Sequence, residues 1–152
     1  MLVTGAAGFI GSHVARRLLE RGETVLGVDN LNAYYDPALK RARLAALEAS
    51  PGFRFRQVEL GEQGALAGAM AGTQIRQVVH LAAQAGVRHS LRDPHSYVAS
   101  NVAGHLNVLE FCRACDGLER LVYASSSSVY GSGSTPPFAE DDVSSVEPAM
   151  MC

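Results

Sequence analysis

The sequence predicts an α/β fold, in which a doubly wound parallel sheet of about five strands is covered by helices on both faces. Two observations support this prediction. Short apolar runs alternate along the chain with segments whose apolar residues recur at helical spacing, a pattern typical of strands joined by crossover helices. A turn with three glycines also follows the first apolar run, where a strand would pass into a helix. The length of 152 residues suits one domain.

The predicted elements of the first half follow in order from the N-terminus. Residues 2–3 begin the first strand, and the helix after the glycine turn ends at Gly22, which can take the left-handed conformation common after helices. Residues 24–28 form the second strand. Asp36-Pro37 starts the second helix, because an aspartate cap followed by proline is a common helix start.

The second half continues the alternation of strands and helices. It contains a predicted strand at 53–60, a short helix at 62–70, a buried strand at 77–82, a long helix opened by Asp93-Pro94 and a strand at 120–124. The apolar residues expected to share one face of the long helix are Val98, Val102, Leu106, Leu109 and Phe111. Residues 1–131 are therefore predicted to form the folded domain, and 132–152 a polar loop and tail.

The glycine turn Gly5-x-x-Gly8-x-x-Gly11 predicts a Rossmann-type site for the pyrophosphate of a dinucleotide. Gly5 permits a tight turn, Gly8 lets phosphate oxygens approach the backbone, and Gly11 lets the helix pack close to the sheet. The free N–H groups of the helix start then face the anion. Because the spacing differs from the commoner G-x-G-x-x-G, the alternative is a turn that merely reverses the chain.

An acidic residue at the end of the second strand indicates which dinucleotide is bound. Asp29 lies 18 residues after Gly11, where a carboxylate can accept hydrogen bonds from the adenosine ribose. A carboxylate also repels the 2′-phosphate of NADP, and no arginine follows it directly. The sequence therefore predicts NAD as the cofactor.

Charge and hydropathy exclude several classes of partner. The chain has 13 basic and 15 acidic residues and no basic block, so neither nucleic acid nor an acidic membrane is an expected partner. No apolar run approaches the length of a membrane span, and the N-terminus passes directly into a strand without a leader. A small-molecule ligand and a cytoplasmic location are expected.

The cysteines and histidines do not predict a metal site. Cys112-x-x-Cys115 lies within a helical pattern, and Cys152 is the last residue. A zinc site would need two further ligands at a matching spacing, which the histidines do not offer. Both cysteines are predicted to pack in the helix, and no metal is expected.

Four motifs in a fixed order carry a family resemblance. They are the glycine turn at 5–11, Asp-Asn-Leu-Asn-Ala-Tyr-Tyr-Asp at 29–36, His-Leu-Ala-Ala-Gln-Ala-Gly-Val-Arg at 80–88 and Ala-Ser-Ser-Ser-Ser-Val-Tyr-Gly at 124–131. Up to about Pro148 the chain resembles the extended short-chain dehydrogenase/reductase family, the NAD-dependent nucleotide-sugar epimerases and dehydratases. The second and third motifs favour the branch of 4-epimerases that act on UDP-glucuronate.

The resemblance implies roles for individual residues. The pyrophosphate would be held by Gly5, Gly8, Phe9, Ile10 and Gly11, and the ribose by Asp29, Asn30 and Asn32. The rest of the cofactor would be met by Leu81, Ala82 and Ala83 along the channel, Asn101 near the nicotinamide, and Glu59 and Leu60, where the family usually has Asp-Leu beside adenine. Ser126 matches the catalytic hydroxyl, and substrate contacts fall on Arg88, Ser127 and Ser128.

Two of these roles have alternatives when the residues are considered without the family. The serine run can be a polar exit from the fifth strand, whose hydroxyls satisfy nearby backbone groups. Arg88 lies in the predicted loop after the fourth strand, where it can bind a carboxylate or phosphate or can simply be solvated.

The implied activity is inversion at C4 of a UDP-sugar, with UDP-glucuronate favoured, through a 4-keto intermediate in a homodimeric enzyme. It needs a tyrosine whose pKa is lowered by a lysine four residues later. The only lysine is Lys40, and Asp36 stands four residues before it. The tyrosine is expected about four residues after Pro148, where Cys152 stands.

The chain is therefore expected to be the NAD-binding N-terminal part of such an epimerase, truncated before the catalytic helix and the substrate domain, and inactive by itself. Three alternatives stay open. They are a non-catalytic NAD-binding module, a fragment of a dehydratase or another epimerase, and a nonfunctional remnant.

Overall fold

A computed structural model of the chain describes residues 1–130 and 137–139. Its strands are β1 (Leu2–Thr4), β2 (Val25–Asp29), β3 (Phe53–Gln57), β4 (Gln77–His80) and β5 (Arg120–Tyr123). Its α-helices are α1 (Phe9–Glu20), α2 (Pro37–Glu48), α3 (Ala65–Ala69), α4 (Val87–Ser90), α5 (Pro94–Tyr97) and α6 (Gly104–Ala114). A π-helical segment (Val98–Ala103) joins α5 to α6, and a 3-10 helix (Ser127–Tyr130) follows β5.

All five strands run parallel in one sheet, in the order β3-β2-β1-β4-β5. The chain builds β2 and β3 on one side of β1 and then crosses to its other side for β4 and β5. Thr4, at the end of β1, is in register with Val28 on one side and His80 on the other. The connections after β1 and β4 therefore diverge here, and such switch points are where ligands of open α/β sheets bind.

The core lies in two layers, one on each face of the sheet. Leu2 and Val28 belong to one layer, and Val3 and Val25 to the other, because successive side chains of a strand point to opposite faces. The α/β, doubly wound prediction with five strands is confirmed.

Two strands end two or more residues earlier than their apolar runs predict, and the fifth ends one residue earlier, at Tyr123. The third strand ends at Gln57 rather than residue 60, since Glu59 Oε1 accepts a hydrogen bond from Gly61 N (3.0 Å) and turns the chain. The fourth ends at His80 rather than residue 82. Hydropathy extends both predictions too far because the residues after these strands are still partly buried although they have left the sheet.

The predicted long helix is divided into α5, the π-helical segment and α6. The predicted loop before it contains a helix of its own, α4, so Arg88 lies on a helical turn rather than in an irregular loop. Gly86 precedes this turn with φ +97°, a conformation that residues with a side chain rarely adopt. The sequence prediction missed α4 because one helical turn is too short to show periodicity.

One face of the long helical unit is apolar and exposed. Val98, Val102, Leu106 and Leu109 lie on it, with exposed fractions between 38% and 64%. Phe111, which was predicted to share this face, instead packs against the core beside the fully buried Val108.

We expect this apolar face to make the chain self-associate. Burying it in a second molecule removes apolar area from water. Leu106→Glu combined with Val102→Glu should shift the sedimentation coefficient toward the monomer. Leu91→Glu, at an exposed leucine elsewhere on the surface, is the matched control. A monodisperse wild-type monomer at high concentration would contradict the prediction.

Both described cysteines pack against the core, but only Cys112 lies in a helix as predicted, because α6 ends at Ala114, one residue before Cys115. Cys112 is half-buried against the core, and this burial raises the pKa of its thiol. Cys115 Sγ contacts the carbonyl oxygen of Ile75 at 3.5 Å.

Three sequence predictions fall outside the described residues: almost all of the polar loop and tail at 132–152, and the positions Pro148 and Cys152. Within the described residues, no helix is both long enough and apolar enough to cross a membrane.

Candidate cofactor site

A pocket opens at the carboxyl ends of β1 to β4, and it is built mainly from residues that the sequence singles out. Those lining it are Gly5, Gly8, Asp29, Asn30, Asn32, Glu59, Leu60, Leu81, Ala82 and Ala83. Lining residues that the sequence analysis missed are Tyr34, Tyr35, Lys40, Val58, Gln84, Ala85 and Ser100. The predicted residues outside the lining are Phe9, Ile10, Gly11, Arg88, Asn101, Ser126, Ser127 and Ser128.

The glycine turn has the geometry needed to hold a phosphate. Gly5 has φ +70°, and its carbonyl oxygen accepts a hydrogen bond from Gly8 N at 2.9 Å. A Cβ at Gly11 would overlap that carbonyl oxygen, so only glycine lets α1 begin this close to β1. Gly8 caps α1 without a side-chain hydrogen bond, which leaves the helix start open to an anion.

Phe9 and Ile10 form the first turn of α1, and their side chains are 67% and 61% exposed. What these two residues can offer an anion is therefore the backbone N–H groups of the helix start, and their predicted roles at the pyrophosphate stay predictions. A dinucleotide pyrophosphate fits this turn.

Asp29 and Lys40 form a buried ion pair in the pocket wall. Asp29 Oδ1 accepts hydrogen bonds from Leu31 N (2.8 Å) and Lys40 Nζ (3.2 Å), and Oδ2 accepts one from Ala7 N (3.3 Å). Lys40 Nζ also donates to Asn32 Oδ1 (3.0 Å). Since a carboxylate accepts about four hydrogen bonds, Asp29 keeps capacity for one more, and one Lys40 proton is likewise unassigned.

Lys40 was not predicted at the site because it is a polar residue 11 positions from Asp29. Its spacing of four and seven residues before Leu44 and Leu47, which are buried on the same face of α2, is the sequence signal that could have placed it inward. The positive charge of Lys40 offsets the negative charge of Asp29. The carboxylate therefore repels a 2′-phosphate less strongly than a lone aspartate would.

A second polar group links the ends of β2 and β3. Asn30 Nδ2 donates to Glu59 Oε2 (2.8 Å), and Asn30 Oδ1 accepts from Asn32 N (3.1 Å). Glu59 therefore bridges Asn30 and the Gly61 backbone with its two oxygens. Its longer side chain reaches the loop after β2 while leaving Leu60 at the pocket wall.

Asn101 lies on the π-helical segment and holds the backbone of the loop after β4. Its Oδ1 accepts from Gln84 N (2.7 Å), and its Nδ2 donates to Gln84 O (3.0 Å). This arrangement positions Gln84 beside the pocket, and the predicted nicotinamide role of Asn101 stays a prediction.

The serine run forms a local network after β5. Ser126 Oγ accepts a hydrogen bond from Ser128 N (3.2 Å) and lies 3.1 Å from Ser128 Oγ. A serine hydroxyl thus satisfies a nearby backbone N–H group, as in the alternative considered for the serine run. The exposed hydroxyls also follow β5, at the same edge of the sheet as the pocket. Arg88 is exposed on α4 at this edge. Their catalytic and substrate-binding roles stay predictions.

Comparison with known proteins decides the family. The sequence profile of the NAD dependent epimerase/dehydratase family matches residues 1–150. The chain belongs to this family. The resemblance drawn from the four motifs is thereby confirmed, and so is NAD as the cofactor, because the family is NAD-dependent and solved relatives hold NAD.

Several epimerases and dehydratases of this family are similar to the chain. UDP-glucuronate 4-epimerase 1 of Arabidopsis thaliana is 50% identical over 142 residues, which are 93% of this chain and 33% of that protein. The crystal structure of the UDP-glucuronic acid 4-epimerase of Bacillus cereus with UDP-glucuronic acid and NAD superposes with a TM-score of 0.80 at 35% identity. That match covers 93% of this chain and 44% of the enzyme.

A dTDP-glucose 4,6-dehydratase of Streptomyces venezuelae, solved with NAD, has a TM-score of 0.76 at 33% identity, covering 93% of this chain and 44% of that enzyme. The chain thus spans less than half the length of these relatives.

In this family member, Thr4 ties the end of β1 to the pocket wall. Its Oγ1 accepts hydrogen bonds from Leu81 N and Ala82 N (both 3.1 Å) and lies 2.7 Å from His80 Nδ1. Because both lone pairs of the hydroxyl are occupied, its proton goes to Nδ1, which makes His80 a neutral imidazole protonated on Nε2. These contacts pull residues 81–82 out of the sheet and set them along the pocket.

We expect His80 to make the fold sensitive to acid. Burial, and then the neighbouring His105, lowers the pKa of His80 from 6.5 to about 4. Below pH 6.5 the unfolded chain binds a proton that the folded chain binds only near pH 4, so stability falls across this interval, by about 3 kcal/mol. Urea unfolding at several pH values measures it. His80→Asn should flatten the slope of unfolding free energy against pH, and His95→Asn, at an exposed histidine, should leave it unchanged. Equal slopes in the two variants would show that His80 is not the source of the acid sensitivity.

No group of three or more His, Cys, Asp or Glu side chains among the described residues is placed to hold a metal ion.

Proposed function

We propose that the chain is the NAD-binding part of a nucleotide-sugar 4-epimerase whose substrate is UDP-glucuronate. The observation that carries the proposal is the pocket at the switch point, where the glycine turn and the Asp29–Lys40 pair face one cavity. Pyrophosphate and ribose lie next to each other in a dinucleotide, and the closeness of the two groups of residues in one pocket supports binding of both.

Each part of the pocket has a defined task in this proposal. The N–H groups of the α1 start bind the pyrophosphate, and Asp29 accepts a hydrogen bond from a ribose hydroxyl. Glu59 and Leu60 border the adenine, and residues 81–83 line the path toward the nicotinamide. Bound NAD supplies the hydride acceptor and donor for sugar C4.

The choice of UDP-glucuronate rests on similarity and on charge. Several Arabidopsis thaliana UDP-glucuronate 4-epimerases are 48–50% identical to the chain. Arg88, exposed at the substrate side, offers a planar fork suited to a carboxylate or a phosphate. Ser126 is proposed as the catalytic hydroxyl, with Ser127 and Ser128 as substrate contacts.

The role of Arg88 can be tested in a chimera that joins residues 1–148 to the C-terminal part of the Bacillus cereus enzyme. Arg88→Ala should weaken binding of UDP-glucuronate more than binding of UDP-glucose, because only UDP-glucuronate carries a carboxylate on the sugar. Arg92→Ala, at another exposed arginine, is the control. Equal losses for both sugars would exclude a carboxylate-specific role.

A homodimer is proposed for the complete enzyme, with the apolar face of α6 in the interface. That face is exposed within the described residues, which supports this placement.

A second candidate is a non-catalytic NAD-binding module, which would use the same pocket at the switch point without turnover. The 152 residues contain no tyrosine four positions before a lysine, so no side chain pair matches the family's proton-transfer pair. Incubating the chain with NAD and UDP-glucuronate should yield no UDP-galacturonate by NMR. Turnover would show that another group replaces the tyrosine.

Calorimetric titration with NAD tests the proposed function directly. The wild-type chain should bind NAD, and Gly8→Val should abolish binding, because the side chain would occupy the space of a phosphate oxygen. Gly68→Val is the matched control, since a Cβ at Gly68 meets nothing within 4 Å. Failure of a folded wild-type chain to bind NAD would overturn the proposal.

A further inference from the structure

Two loops that line the pocket also touch each other beside it. The adenosine loop, residues 30–36, follows β2, and the Arg88 segment, residues 84–90, follows β4 and includes α4. The first lies where the proposed function places the adenosine half of NAD. The second carries Arg88 toward the proposed substrate side.

The two loops meet through an amide pair and a pair of rings. Asn32 Nδ2 donates to Gln84 Oε1 at 3.3 Å. The ring of the half-buried Tyr34 lies 4.7 Å from the imidazole of His89, between ring centroids. Since His89 is the direct neighbour of Arg88, Tyr34 contacts the helical turn that carries the guanidinium.

Gly86 shows how closely Tyr34 approaches the backbone of the Arg88 segment. A Cβ at Gly86 would overlap the Tyr34 hydroxyl oxygen and lie 3.3 Å from Tyr34 Cζ. Gly86 also has φ +97°, so a side chain here is disfavoured by the contact and by the backbone conformation.

The opposite side of the Arg88 segment is anchored to the helical unit. Tyr97 Oη donates to the Ala85 carbonyl oxygen (2.7 Å) and contacts the Gly86 carbonyl oxygen, while Asn101 holds the Gln84 backbone. The segment is thus held on one side by Tyr97 of α5 and Asn101 of the π-helical segment, and on the other by the adenosine loop.

We propose that Tyr34 is a positioning residue that couples occupancy of the adenosine pocket to the order of the Arg88 segment. The inference rests on the proposed function. NAD restricts the adenosine loop, the Tyr34 ring is thereby held against Gly86 and His89, and α4 is ordered with Arg88 facing the substrate side. The coupling is reciprocal: the factor by which NAD slows opening of the segment is the factor by which NAD binds the ordered segment more tightly than the open one.

Hydrogen exchange on the 152-residue chain, with and without saturating NAD, tests this coupling. NAD should slow exchange of the amides at 86–90 about fivefold or more. Tyr34→Leu should abolish the slowing at saturating NAD, with saturation confirmed by calorimetry because Tyr34 also lines the pocket. Tyr34→Phe keeps the ring and should retain the effect. Tyr35→Leu, at the adjacent and more exposed aromatic residue, should retain the slowing when NAD is saturating.

The pocket lining includes Ala85, so NAD could act on the Arg88 segment by direct contact. Slowing that persists in Tyr34→Leu would show direct contact and overturn the role of Tyr34. NAD binding without any slowing in the wild type would overturn the coupling and leave NAD binding intact. A wild-type chain that does not bind NAD would overturn the proposed function and, with it, this inference.

Discussion

Gly11→Ala is expected to destabilise the fold by about 3 kcal/mol and to abolish NAD binding. An alanine Cβ at this position would overlap the Gly5 carbonyl oxygen and lie 2.7 Å from the Gly5 carbonyl carbon. Both atoms belong to the backbone of the glycine turn, so no side-chain rotation can relieve the clash. Either α1 moves away from β1 or the turn opens, and each change displaces the N–H groups proposed to hold the pyrophosphate.

Gly68→Ala provides the matched control for this substitution. Gly68 lies in α3 with nothing within 4 Å of the Cβ position, so alanine there should be neutral or stabilise the fold by up to about 1 kcal/mol. Thermal and urea unfolding of the three proteins measure the difference. Equal stability of Gly11→Ala and the wild type would show that the turn is not as tightly packed as described.

Lys40→Met is expected to cost about 3–5 kcal/mol of unfolding free energy, because it leaves the Asp29 carboxylate buried without its cation. Lys40 and Asp29 are only 7% and 8% exposed, so water cannot replace the lost partner. The variant should also bind NAD more weakly, since Lys40 lines the pocket and orients Asn32. Arg41→Met, at the exposed neighbouring residue of α2, should change stability by less than about 0.5 kcal/mol.

A double-mutant cycle separates the ion pair from the general cost of each substitution. Asp29→Asn should also destabilise the chain, and Lys40→Met combined with Asp29→Asn should cost less than the sum of the two, because the double variant leaves neither charge unpaired. Additive costs would show that the two charges contribute independently and that Lys40 stabilises only through Asn32.

Pocket residues whose positions depend on local sequence were predicted, and those brought to the pocket by packing between loops were not. Gly5, Gly8 and Asp29 were predictable because their roles depend on backbone conformation and on position after a strand, both of which are local properties. Lys40 and Tyr34 were not, since their roles depend on which loop folds over which strand end. Phe111 was predicted on the wrong face although its spacing was informative: it follows the buried Val108 by three residues in α6, which puts it on the core side, nearly opposite Leu109.

Residues close together in the chain encode the alternation of strands and helices, the glycine turn, the acidic residue after β2 and the motifs of the family. Three contacts arise only when the chain is folded: Asp29 pairs with Lys40, Thr4 sets the path of residues 81–82, and Tyr34 lies on the Arg88 segment. These pairs are separated by 11 to 78 residues in the chain or belong to different loops. They meet because five parallel strands bring their carboxyl ends to one edge, where the loops must pack against one another.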